Sequence, residues 1–286
     1  MAAGKILAAK LTEVRTHAEP ATGGDVNGIH DLRVAVKRLR EAMRLFRRLM
    51  PAGRRRLFLP LVEQLNDALG PVRDRDVWAE RIAWLMEQAP AASDFLEGLR
   101  GKWAEEREGY LTEAIALWES LTGTDRLLEG LSNLAAAVRK RRSPENSQPL
   151  DRFAYVTVTE RALRVRQRLA EPQGLADPAT LHALRITVKR LKYSLEPFLT
   201  ALPGLEQPYQ AVADVQEAVG LTHDFDVIQA ALEEHYRQTA PGCRRGARHA
   251  LDVIRAHRAD LFAQAGEPLK ALASDDWQRR LLDSLD

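Results

Sequence analysis

Apolar residues recur at helical spacing along almost the whole chain, and the runs of β-branched residues that would indicate strands are scarce. Prolines and glycines separate the apolar segments at helix-length intervals. The pattern predicts helices near residues 4–18, 29–50, 53–69, 75–89, 93–121 and 124–141, and then near residues 151–170, 179–202, 205–220, 225–238, 242–264 and 267–285. The predicted fold class is therefore all-α.

A polar segment containing two prolines, Ser143 to Pro149, separates two sets of six predicted helices. We therefore expect an N-terminal bundle over residues 1–142, a linker over 143–150 and a C-terminal bundle over 151–286. Short connections between the helices favour an antiparallel arrangement in each bundle. A chain of 286 residues that is 45% hydrophobic can bury cores of this size.

A basic block that begins with histidine occurs twice. HDLRVAVKRLR, from His30 to Arg40, is matched by HALRITVKRLK, from His182 to Lys192. A second block follows each of them, LNDALGPVRDRDV over residues 65–77 and VQEAVGLTHDFDV over residues 215–227. Because both blocks recur in the same order, the sequence indicates an internal duplication.

The glycine in each second block is expected to end a helix, and one aspartate of the following Asp-x-Asp is expected to cap the next helix. The glycines are Gly70 and Gly220. Capping needs only one carboxylate, so the other is a candidate for orienting a basic side chain of a neighbouring helix. The four structural candidates are Asp74, Asp76, Asp224 and Asp226.

On a helical wheel the basic blocks have one cationic face and one apolar face. In and just after the first block, six cations fall within about 100° beside His30: Arg33, Lys37, Arg40, Arg44, Arg47 and Arg48. In the second block the cationic face consists of His182, Arg185, Lys189 and Lys192. Glu196 stands where the first copy has Arg44, so we expect the first half to hold a ligand more tightly.

Such a face is either a solvated surface or an anion site, and electrostatics favours the anion site. Neighbouring cations about 6 Å apart repel by roughly 0.7–3 kcal/mol, and an exposed helix relieves this with glutamates one turn away. Glu41 is the only acid near the first cationic face, so this relief is expected to be almost absent. Arginine forks, lysine ammonium groups and a histidine near each helix start would all suit phosphate oxygens.

Other basic residues lie outside these two cationic faces. Arg38 and Arg190 lie off the cationic faces, and two roles are equally weighted for them: ligand contacts, or ion pairs with Asp74 and Asp224. Further arginines at helical spacing would extend the basic surface if they faced the same cavity: Arg161, Arg164 and Arg168 of the helix near 151–170, and Arg244, Arg248, Arg255 and Arg258 of the helix near 242–264.

The composition limits the remaining function classes. The 42 Lys and Arg nearly balance the 40 Asp and Glu, so any electropositive surface must come from segregation of charge. One cysteine, Cys243, argues against disulfides and a cysteine-rich zinc site and suits a reducing cytosol. With no signal peptide or membrane-length apolar run, we expect a cytoplasmic protein that needs no membrane, cofactor or metal.

The paired motifs, His-x-x-Arg-x-x-x-Lys-Arg-x-Arg/Lys and Leu/Val-Gly-x-x-x-Asp-x-Asp-Val, resemble those of the CHAD family, the conserved histidine α-helical domain, over nearly the whole chain. The resemblance implies two antiparallel helical bundles related by an internal pseudo-two-fold repeat, with the basic helices facing a central cavity or groove. It also implies binding of inorganic polyphosphate and association with polyphosphate granules and their other proteins. The contacts carried over are His30, Arg33, Lys37, Arg40, His182, Arg185, Lys189 and Lys192. A triphosphate-tunnel catalytic domain often accompanies the family, and this chain has no room for one, which favours a stand-alone, non-catalytic binding module.

Two alternatives belong to other classes. A metal-dependent phosphohydrolase would use the doublets His30-Asp31 and His223-Asp224, but these are not equivalent in the two repeats, and nearby cations oppose a divalent metal. A nucleic-acid-binding protein would use the same phosphate contacts. Base stacking calls for aromatic residues, and the basic faces contain little beyond Tyr193.

Overall fold

The computed structural model of the protein describes residues 2–123, 126–140, 150–171, 174–238 and 244–285. These residues form helices joined by short turns, with no strand among them, which confirms the all-α fold class. Most of the predicted linker, together with Cys243, lies outside the described residues.

The helices differ in length from the prediction. In chain order they are α1 (Ala2–Thr22), α2 (Val26–Leu45), α3 (Ala52–Gln88), α4 (Ser93–Thr122), α5 (Arg126–Lys140), α6 (Leu150–Leu169), α7 (Pro178–Leu195), α8 (Glu206–Arg237), α9 (Arg244–Gln264), α10 (Gly266–Ala273) and α11 (Asp275–Asp283). Short 3-10 turns, Pro90–Ala92 and Glu196–Phe198, precede α4 and follow α7.

The prediction that helices end at Gly70 and Gly220 is wrong. Gly70 and Pro71 lie inside α3, and Gly220 lies inside α8, so each pair of predicted helices is one long helix. An interior glycine costs a helix only about 1 kcal/mol, which packing along the rest of the helix outweighs. The Asp-x-Asp segments are consequently mid-helix and not caps.

The C-terminal segment shows the opposite difference, because the helix predicted over 267–285 is divided. Ser274 has an extended backbone between α10 and α11, and its hydroxyl accepts a hydrogen bond from the Trp277 amide at 3.1 Å. This is the N-cap geometry that serine favours.

The chain forms two compact units. The first comprises Met1–Asp76 and Glu105–Phe153, and the second comprises Val77–Ala104 and Ala154–Asp286. Residues 77–104 thus group with the C-terminal part of the chain. The predicted limits of the two bundles and of the linker stay a prediction.

In the first unit, the apolar face of α2 is buried as its helical period predicts. Ile29, Leu32 and Val36 are almost fully enclosed, and α2 packs closely along α1. A Cβ atom at Gly28 would lie 2.6 Å from the backbone of Pro20, so this close approach requires glycine. The basic face of α2 is therefore held on a tightly packed pair of helices.

In the second unit, α8 packs against α7, α9 and α10. The apolar side of α7 is fully buried, as Leu184, Val188 and Leu191 illustrate. Trp84 packs edge-on against Phe225 of α8, with ring centroids 5.4 Å apart. These contacts fix one side of α7 and leave the basic side less enclosed.

In the described part of the chain, no helix combines the length and the apolar character that a membrane crossing requires.

Candidate functional site

Both basic helices begin with an aspartate cap. Asp25 accepts a hydrogen bond from the Gly28 amide at 2.6 Å at the start of α2. Asp177 accepts one from the Thr180 amide at 2.8 Å at the start of α7. The side-chain and backbone hydrogen bonds of Thr180 hold the pKa of Asp177 below its usual value. Equivalent residues of the two repeats thus start the two helices in the same way.

In the first unit, the second aspartate of Asp-x-Asp anchors the start of the basic helix through an arginine. Asp76 of α3 accepts a hydrogen bond from Nε of Arg107 at 2.6 Å. The Nη2 atom of Arg107 donates to the carbonyl oxygen of Gly24 at 3.2 Å, just before the cap of α2. The aspartate therefore orients an arginine, and the arginine holds the backbone that leads into α2.

The second unit repeats this contact. Asp226 of α8 accepts from Nε of Arg258 at 2.7 Å, and Nη2 of Arg258 donates to the carbonyl of Ala176 at 3.3 Å. Sequence analysis missed Arg107, and it considered Arg258 only as an extension of the basic surface and not as the partner of Asp226. The sequence signal that could have identified this contact in both repeats is the matching position of the two arginines, each on the next long helix after its Asp-x-Asp.

Internal carboxylates accompany the arginines of α2. Arg33 lies 3.7 Å from Asp74, and the nearly buried Glu41 accepts hydrogen bonds from Arg40 at 2.9 Å and from Arg44 at 3.0 Å. Glu63 of α3 also accepts from Arg44, at 2.6 Å. The expectation that the first cationic face lacks charge relief is therefore wrong, because a neighbouring helix supplies carboxylates that the spacing within α2 does not reveal.

The other members of the first cationic face have different surroundings. His30 is exposed, with Nδ1 3.0 Å from Oδ1 of Asp31. Lys37 is partly buried on α2. Arg48 lies beyond the end of α2, in an exposed position. Arg38 lies 3.9 Å from Glu13 of α1.

The cationic face of α7 brings together His182, Arg185, Lys189 and Lys192, all of them partly buried. Within the described part of the chain, no carboxylate forms an ion pair with Arg185 or Lys192. Glu196, which interrupts the basic pattern, follows the end of α7 and accepts a hydrogen bond from Tyr209 at 3.3 Å. Arg185 and Lys192 therefore differ from Arg40 and Arg44 of α2, which share the carboxylate of Glu41.

His223, which sequence analysis considered only for metal-dependent hydrolysis, contacts this face. Nδ1 of His182 lies 3.1 Å from Nε2 of His223 on α8, with the ring centroids 4.5 Å apart. Burial, followed by the charges of Arg185, His182 and Lys189, lowers the pKa of His223 to about 4. Burial and the charges of Arg185 and Lys189 also lower the pKa of His182. Both rings are therefore predominantly neutral near pH 7 in the free protein.

The additional arginines are mostly engaged with other groups of the second unit. Arg161 donates to the carbonyl oxygen of Arg190 at 2.9 Å, which places α6 beside α7. The side-chain contacts of the rest are Arg164 with Glu160, Arg168 with Glu171, Arg248 with the hydroxyl of Tyr236, and Arg255 with Glu233. Arg168 and Glu171 also line a wide-open depression of about 400 Å³ with Ala179, Thr180 and Ala183, beside the first turns of α7.

Comparisons with known proteins agree with this architecture. Among curated protein sequences, none is significantly similar to this chain. The crystal structure of the CHAD domain from the plant Ricinus communis is similar with a TM-score of 0.70 and 23% identity, over 94% of this chain and 91% of that one. PptA from Streptomyces chartreusis is similar with a TM-score of 0.67 and 16% identity, over 95% of this chain and 97% of that one. A sequence model of the CHAD domain matches residues 5–233, and the chain therefore belongs to the CHAD-domain family.

Proposed function

We propose that this protein binds inorganic polyphosphate through the cationic faces of α2 and α7 and does not hydrolyse it. The observation that carries the proposal is the row of His182, Arg185, Lys189 and Lys192 on one face of α7. In the described part of the chain, no carboxylate pairs with Arg185 or Lys192. Such a row of cations favours an anionic ligand.

Family membership supports the choice of anion. The CHAD resemblance implies polyphosphate as the ligand, and both repeats keep the residues that the family motif assigns to it. We further propose that the protein acts in the cytoplasm at polyphosphate granules, where other granule proteins are its partners.

The contacts of the His-Asp doublets favour binding over metal-dependent hydrolysis. His30 contacts Asp31 directly, and His223 uses Nε2 for His182. Among the described residues, no three or more His, Cys, Asp or Glu side chains form a group suited to hold a metal ion. The histidine of each doublet therefore has a side-chain partner other than a metal ion.

The first experiment is a titration of the purified protein with long-chain polyphosphate, RNA and DNA at equal phosphate concentration. We expect polyphosphate to bind most tightly, because the cationic faces offer phosphate contacts without stacking side chains. Tighter binding of RNA or DNA would contradict the proposal. Release of inorganic phosphate with added divalent metal would contradict the non-catalytic part.

A double substitution tests the location. Arg185→Ala with Lys192→Ala is expected to weaken polyphosphate binding at least about tenfold, because two charge-assisted contacts are lost. Arg237→Ala with Lys270→Ala changes the net charge equally at exposed positions outside α7 and should leave affinity within about twofold. Equal effects of the two double variants would show that α7 is not the site.

A further inference from the structure

The contact between His182 and His223 constrains the protons of both rings. The neutral pair has two ring protons on four nitrogens, and one proton must lie between Nδ1 of His182 and Nε2 of His223. If His182 donates, the second proton is on Nδ1 of His223. If His223 donates, the second proton is on Nε2 of His182. The surroundings of Nδ1 of His223 therefore decide between the two arrangements.

Nδ1 of His223 is buried and has no hydrogen-bond partner in the described part of the chain. A proton on this atom would be a buried N–H donor without an acceptor, which folded proteins strongly avoid. The arrangement in which His223 donates leaves only an unprotonated nitrogen there. It consequently places a proton on Nε2 of His182, the nitrogen that remains available to a ligand.

The buried Nδ1 of His223 also disfavours a positive charge on the histidine pair. Adding a third proton while keeping the hydrogen bond would protonate both outer nitrogens, including the buried Nδ1 of His223. Arg185 and Lys189 of α7 also repel an added positive charge. The carboxylates that follow His223 in the sequence of α8 are Asp224 and Asp226.

Asp224 and Asp226 each have an interaction of their own, and Asp226 is bound by Arg258 of α9. Arg185 and Lys189 of α7 lower the pKa of both rings, so these neighbouring charges oppose an imidazolium.

We infer that His223 is a positioning residue of the α7 site, which holds His182 neutral with Nε2–H presented as a hydrogen-bond donor to an anion. This inference rests on the proposed function for the identity of the ligand. The proton arrangement itself belongs to the free protein. His182 would then contribute to phosphate binding without becoming charged, and its contribution would not change with pH near neutrality.

The decisive measurement is nuclear magnetic resonance of the free protein labelled with ¹⁵N-histidine. His182 resonances are assigned by comparison with His182→Gln. From about pH 8 to about pH 6, across the usual titration range of histidine, His182 should stay protonated on Nε2 and unprotonated on Nδ1. An imidazolium, or a proton on Nδ1 alone, would overturn the inference.

Substitution of His223 provides a second test. In His223→Ala, water can reach Nδ1 of His182 and accept a proton from it, so the ring can become charged. Polyphosphate should then bind about fivefold more tightly at about pH 6 than at about pH 8, whereas wild-type affinity should change less than about twofold. His223→Glu should place a proton on Nδ1 of His182 in the spectra, because a carboxylate only accepts.

His235→Ala is the matched control. His235 is also a partly buried histidine of α8, and it packs against Phe95 with ring centroids 5.0 Å apart. This variant should retain the wild-type spectrum of His182 and the wild-type pH profile. A His182 spectrum that His223→Ala leaves unchanged would refute the inference even if polyphosphate binds. Failure of polyphosphate to bind while the predicted spectrum is observed would instead refute only the proposed function.

Discussion

At the scale of single residues, the ion pair between Asp76 and Arg107 is enclosed by protein. The Asp76 side chain is 1% exposed and the Arg107 side chain 17%. Arg107 also contacts Glu108 at 3.0 Å, but that carboxylate is 70% exposed. Arg107 thus has one buried partner and one solvent-exposed partner, and removing each is expected to change the stability by a different amount.

Removal of the buried partner should be the more damaging change. Asp76→Ala leaves a guanidinium enclosed without its main counter-charge and is expected to lower the free energy of unfolding by about 3 kcal/mol. Glu108→Ala removes an exposed pair from the same arginine and should cost less than about 1 kcal/mol. Denaturant unfolding followed by circular dichroism measures both, and similar losses would show that the Asp76 pair is not an anchor.

At the scale of helices, α8 runs through Gly220 without a break, and the same is true of α3 at Gly70. A Cβ atom added at Gly220 would meet nothing within 4 Å. Glycine there has no positive φ to preserve, since Gly24, Gly174 and Gly204 are the glycines with positive φ in the described residues. The residue therefore weakens the helix without any visible steric need.

Gly220→Ala should accordingly stabilise the protein by roughly 0.5–1 kcal/mol, because alanine loses less backbone entropy in a helix. If a helix ended at Gly220, the same substitution would destabilise the protein, because alanine is strained in the left-handed conformation of a helix cap. Thermal and denaturant unfolding of Gly220→Ala therefore discriminate a continuous helix from a broken one. Gly24→Ala, at a φ of 80°, is the control expected to destabilise.

At the scale of the whole molecule, helical periodicity predicted the fold class and the apolar backs of α2 and α7. It could not predict which neighbouring helix supplies the partner of a side chain. Glu63 reaches Arg44 from α3, and His223 reaches His182 from α8, and neither contact leaves a spacing pattern within one helix. The sequence around Gly70 and Gly220 also could not show that the helices continue, because packing outweighs the helix-ending preference of glycine.

The carboxylates that accompany the arginines of α2 have a consequence for the ionic-strength dependence of binding. A protein cation that pairs with a phosphate releases a counterion condensed on the polyanion, and each such pairing adds about 1 to the slope of log affinity against log salt. Lys192→Ala should therefore reduce that slope by about 1. Arg44→Ala should reduce it by less than about half as much, because Glu41 and Glu63 already serve as its counterions. Equal reductions in titrations over a series of salt concentrations would contradict this. The salt slope thus counts the cations that the protein's own carboxylates leave available to pair with phosphate.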